Sequence, residues 1–105
     1  MLMLDGNVLA SLPASVGKLT ALKLLSCNGN RVASLPASIG ALSSLEALEL
    51  SGNSITVLPD AIAALTALEA LDLEENPLVR PQSDVVEAWL QSLRESGCDV
   101  LLDVE

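Results

Sequence analysis

Four asparagines stand at equal intervals in this chain. Asn7, Asn30, Asn53 and Asn76 are each 23 residues apart, and the same residue types recur at fixed offsets around each of them. A period of this length is the sequence signature of a stacked-coil architecture, so it constrains the fold before any local propensity is weighed. Three residues before each Asn stand Leu4, Cys27, Leu50 and Leu73, and five before stand Leu2, Leu25, Leu48 and Leu71. Two residues after it stand Leu9, Val32, Ile55 and Leu78. Leu12, Leu35 and Leu58 follow at five, each with a Pro behind it: Pro13, Pro36 and Pro59. At nine stand Val16, Ile39, Ile62 and Val85, and at twelve Leu19, Leu42 and Leu65. Leu22, Leu45 and Leu68 precede the later asparagines by eight.

Each offset has a physical reading. In "LEL" and "LDL" the apolar residues alternate, which places them on one face of a short strand. Asn ends the strand, because its amide carries both donors and acceptors for the turning backbone of its own and neighbouring coils. Gly6, Gly29 and Gly52 permit the tight turn before it. Pro has no N–H for a ladder and fixes its own φ, so it directs the chain to the outer side. "ASVGKLTAL", "ASIGALSSL" and "DAIAALTAL" then carry apolar residues at roughly helical spacing, enough for a short 3₁₀-like return. No unit buries its apolar edge alone, so the units stack.

In these residues the chain resembles the leucine-rich repeat family, through the pattern L-x-x-L-x-L-x-x-N-x-L-x-x-L-P-x-x-I-x-x-L. It looks most like the 23-residue intracellular type with a central Leu-Pro, as in plant Ras-group repeat proteins and scaffold proteins of Ras signalling. The resemblance covers residues 1–82, as four repeats of about 1–23, 24–46, 47–69 and 70–82. It implies an α/β solenoid, a short curved horseshoe with a parallel inner sheet and short helical or 3₁₀ outer segments. It also implies a recognition or scaffold module rather than an enzyme.

After Asn76 the pattern changes. "NPLVRPQSDVVEAWLQSLRESG" loses the Leu-Pro and reads as a longer helix, with Asp84 and Glu87 at capping-box spacing and Gly97 as its stop. Val85, Ala88, Trp89 and Leu93 give an apolar face, with Val86 and Leu90 beside it. "CDVLLDVE" alternates like a last strand. Residues 83–105 are thus expected to cap the solenoid, with Trp89 plugging its end. At the other end the sheet begins at Leu2 and Leu4, an exposed edge of the kind that recruits a partner or continues into further chain.

Composition narrows the function. Half of the 105 residues are hydrophobic, almost all aliphatic, and Trp89 is the only aromatic. Net charge is −9. Residues 1–60 hold four acids against three bases, and residues 61–105 hold ten acids against Arg80 and Arg94. Nucleic acid and anionic membrane would be repelled. There is no His, so neither a Ser-His-Asp nor a Cys-His site assembles from this chain, and no metal or cofactor is expected. "SVGKLT" lacks the upstream Gly of a phosphate loop. Asp72, Glu74 and Glu75 match no calcium-loop spacing. Two distant cysteines form no disulfide framework, and no basic segment leads an apolar one. The expectation is a cytoplasmic, reducing compartment.

What remains is the sheet face. Between the core leucines one column runs Met1, Leu24, Ala47 and Ala70. The next runs Met3, Ser26, Glu49 and Asp72, and the third Asp5, Asn28, Ser51 and Glu74. Arg31 lies beside the turns with Val8, Ser54 and Pro77. The first column is apolar and the others grow acidic toward the C-terminus. These columns are the expected contact surface for a protein partner with a basic or amphipathic helical surface, within a hetero-oligomeric complex.

Overall fold

The computed structural model describes residues 1–103. Five short strands, β1 (Leu2–Met3), β2 (Leu24–Ser26), β3 (Ala47–Glu49), β4 (Ala70–Asp72) and β5 (Asp99–Leu101), form one parallel sheet in sequence order. The register follows the 23-residue period: Leu2 pairs with Leu25, Leu25 with Leu48, and Leu48 with Leu71. Val100 continues the row beside Leu71. Leu25 and Leu48 are fully buried. Alternation alone sends them inward and their neighbours outward.

The asparagines work as the sequence implies. The side-chain oxygen of Asn53 accepts from Val32 N–H at 3.0 Å in the preceding coil. Its amide nitrogen donates to Cys27 O of that coil and to Leu50 O of its own. Asn30 and Asn76 repeat the arrangement one coil to either side. The ladder thus continues through the turn, where the backbone alone would leave groups unpaired.

Behind each Leu-Pro the chain forms a 3₁₀ segment: Ala14–Lys18, Ala37–Ala41 and Asp60–Ala64. Each Pro is extended, and where a fourth copy of this step would follow, a helix takes its place. Val16, Ile39 and Ile62 are the buried residues of the three segments. The segments pack so closely that a Cβ on Gly17 would stand 2.7 Å from Ser38 O, and one on Gly40 would collide with Ala61 O. The third coil has Ala63 at that position, because helix α1 (Asp84–Glu95), not another 3₁₀ segment, packs beyond it.

Helix α1 departs from the expected pattern in two ways. Its N-cap is Ser83, whose hydroxyl accepts from Val86 N–H, and not Asp84. Glu87 instead accepts from Gln82 N–H at 2.7 Å and pairs with Arg80. The buried stripe is Val86, Trp89, Leu90 and Leu93, while Val85 and Ala88 are exposed. The i, i+3, i+4, i+7 spacing fits an α-helix, whereas the 23-residue offset that selects Val85 belongs to the 3₁₀ return and ends at Ile62. Trp89 is buried, and its indole N–H donates to Leu65 O at 2.9 Å. Gly97 adopts φ 93° just beyond the helix. Gln82 is buried and stands in for a following coil, accepting from Leu58 N–H and donating to Thr56 O. The tail of the expected cap, Val104 and Glu105, lies outside the described residues.

At the other end Leu2 and Leu4 pack against the core and are half-buried. The large apolar residues the first coil exposes are Met1, Met3, Val8 and Leu19.

Cys27 fills a leucine position and is fully buried. Burial pushes its thiol up to about 11, with a smaller Coulombic push from Asp5. Burial moves the Cys98 thiol in the same direction, ahead of Asp99 and Glu69. Above the ordinary value of 9.0 the unfolded chain gives up the Cys27 proton while the native state keeps it. Stability is therefore complete below that pH and falls as pH rises toward the native value. A loss of about 1–2 kcal/mol is expected by pH 10. Urea midpoints at pH 7 and pH 10 measure it, and Cys27→Val should shrink the difference.

Candidate functional site

The outward residues of the five strands lie on a sheet face that no other described element covers. The pairing sets Ala47 beside Ala70 and Glu49 beside Asp72, as the columns require. It also adds two residues that a 23-residue offset does not reach. Asp99 pairs with Ala70 and Leu101 with Asp72. Both belong to β5, which follows α1 and so escapes the repeat period. The alternation in "CDVLL" was the available signal.

The face divides in two. On β1–β3 the polar groups are occupied with one another. Ser26 Oγ lies 2.6 Å from Asp5 Oδ1 and 3.1 Å from Glu49 Oε1. One hydroxyl carries one proton, so the shorter contact, to Asp5, is the donated one. Asp5 also accepts from Asn28 N–H at 2.8 Å. Asn28 in turn accepts from Ser51 N–H and donates to Glu49. Expected contact residues therefore serve the coil stacking. Ser26 is a correction: its side chain is fully buried beneath these groups and presents nothing to a partner. Asp5, Asn28 and Ser51 remain partly or fully accessible, but Asp5 and Asn28 are committed to backbone N–H groups of the next coil, and the Ser51 hydroxyl donates back to Asn28 Oδ1.

On β3–β5 the carboxylates face outward. Asp72 uses one oxygen on Glu74 N–H at 3.0 Å. The salt bridges Lys23–Glu46 and Arg80–Glu87 include none of Glu49, Asp72 and Glu74, and residues 32–79 contain no Lys or Arg. Glu49 and Asp72 thus sit side by side on neighbouring strands, an arrangement that costs stability. Leu24, Ala47 and Ala70 are half-buried beside them, and Arg31 is exposed at the turn edge. Met1 and Met3 project freely from the first coil.

Elsewhere, a cleft lined by Leu73, Asn76, Leu78, Arg80, Leu102 and Asp103 encloses about 270 Å³, open solvent included. That is below the roughly 300–1,000 Å³ of small-molecule sites. Among the described residues no group of three His, Cys, Asp or Glu side chains is placed to hold a metal ion. No helix among them is long and apolar enough to cross a membrane.

A stacked-coil solenoid with a parallel sheet, an asparagine ladder and an open inner face is the architecture of a recognition domain. Residues 1–96 match the model of a leucine-rich repeat region, and the chain belongs to the leucine-rich repeat family. Among solved structures it is similar to a leucine-rich repeat protein of Leptospira interrogans, with 32% identity and a TM-score of 0.80. That likeness covers 91% of this chain and 23% of the other, so this chain spans about a quarter of its neighbour's length. A search of curated proteins found no match. Domains of this family are generally non-enzymatic modules that bind proteins.

Proposed function

We propose that this chain is a non-catalytic protein–protein interaction module, a small structural subunit of a larger hetero-oligomeric assembly in the cytoplasm. Residues 1–82 supply four repeats of the 23-residue intracellular, plant Ras-group-like type, and residues 83–105 supply the cap. The observation that carries the reading is the sheet face held by the asparagine ladder and bearing Glu49, Asp72 and Glu74, none of which belongs to the salt bridges Lys23–Glu46 and Arg80–Glu87 among the described residues. Adjacent like charges destabilise the free domain and suit a partner with basic groups. The family's binding habit supports the same direction.

Native size in an extract of its own cells, with mass spectrometry of co-migrating proteins, tests this. Migration in a large complex with fixed companions is expected, and migration at the 10.9 kDa of the chain alone would sink the subunit reading. Glu49→Lys with Asp72→Lys is expected to weaken capture of those companions by tenfold or more, on the order of 1.4 kcal/mol, with the thermal midpoint retained. A second reading has one observation in its favour. The coverage of only 23% of the Leptospira protein fits a recognition segment of a longer protein, whether signalling adaptor or enzyme.

A further inference from the structure

We infer that the face over β3–β5 receives an amphipathic helix of the partner, laid across the strands, with Arg or Lys at positions i and i+4 over Glu49 and Asp72 and an apolar residue one turn later over Leu101. The inference rests on the reading of this face as the interface and deepens it by naming the partner's geometry. Neighbouring strands lie about 4.8 Å apart. A helix advances about 5.4 Å per turn. A helix crossing the strands therefore offers one side chain to each strand in succession, and the mismatch of about 1 Å over two steps is within the reach of long basic side chains.

The register supplies what such a helix would meet. Glu49, Asp72 and Leu101 occupy one continuous column across β3, β4 and β5. The order acid, acid, apolar is read directly from that column. Leu101 is 39% exposed, one of few large apolar side chains left open outside the first coil. In the neighbouring column Ala47 and Ala70 end at Cβ, so a helix backbone approaches without collision. Asp99 follows them beside Ala70 and adds a third acid at the edge. Opposite charges across the contact also steer the encounter.

The test uses a fluorescent, Ala-rich peptide of ~15 residues, long enough for partial helicity. It carries Arg at i and i+4 and Leu at i+7. A second peptide has the same composition with the arginines at i and i+2, which face different sides of a helix. Anisotropy titrations against the whole chain are expected to show the first peptide binding about tenfold or more tightly than the second, and weakening with salt. Glu49→Gln with Asp72→Asn is expected to abolish that preference. Both amides keep an acceptor oxygen, so the double variant retains the bonds the acids accept from the Asn28 amide and from Glu74 N–H. Equal binding of the two peptides would overturn the helical register while leaving the assembly reading to its own extract experiment. No binding of either peptide would overturn it as well. The peptide comparison does not depend on how the variant folds.

Discussion

Asn53→Ala is expected to lower the unfolding free energy by about 3–5 kcal/mol, the effect of several buried polar groups losing their partner at once. Asn53 is 8% exposed. Its oxygen is the acceptor for Val32 N–H, and its nitrogen satisfies Cys27 O and Leu50 O, all within 3.0 Å. Alanine leaves these groups facing each other inside the turn, where water does not replace the amide. Each orphaned group costs about 1–3 kcal/mol, and partial relaxation keeps the sum below the maximum. Asn7→Ala provides the internal comparison. Asn7 is exposed, and its nitrogen bonds Leu4 O and Asp5 O within its own coil. Its loss should cost no more than about 1 kcal/mol, because water reaches both carbonyls. Urea denaturation of the two variants measures the difference. Equal costs would mean that the asparagines act through local turn propensity and not through the coil-to-coil ladder.

The parts of this fold that were legible are those governed by a repeated local rule. Strand alternation placed Leu25, Leu48 and Leu71 in the core, and the fixed offset placed Glu49 beside Asp72. The parts that escaped lie where the rule stops. Val85 occupies the offset of Ile62, yet the chain there is α-helical, so Val86 takes the buried position. Asp99 and Leu101 complete the sheet face but come after a helix, out of phase with the period. Ser26 was placed in the right column, and it is buried there with Asp5, Glu49 and Asn28 gathered around its hydroxyl. Glu75 is a subtler case. It stands where earlier coils have Gly6, Gly29 and Gly52, and it adopts the same left-handed conformation at φ 58°. Its N–H finds Asp103 Oδ2 at 2.8 Å, whereas Gly52 N–H finds the next coil's carbonyl of Glu74. A side chain from the end of the chain there replaces the coil that the repeat would have supplied.

Leu48→Ala is expected to cost about 2–5 kcal/mol, the range for a buried leucine truncated to a cavity. The size of the effect follows from where Leu48 lies. It is fully buried, paired with Leu25 on one side and Leu71 on the other. The cavity therefore opens onto two coil interfaces, and a stacked-coil protein holds together through such nearest-neighbour interfaces. A domain of this size has only about 5–15 kcal/mol of total stability. A loss at the upper end should uncouple the coils before β3 from those after it, which would appear as a shallower denaturant slope as well as an earlier midpoint. Leu2→Ala truncates the same column at the first coil, where the side chain is only half-buried and meets one neighbouring strand. Its cost should be clearly smaller and its slope unchanged. Urea titrations of both variants, followed by far-UV circular dichroism, separate the outcomes. Retention of full stability by Leu48→Ala would mean that the inward and outward faces of β3 are reversed, and Glu49 could not then belong to the exposed column.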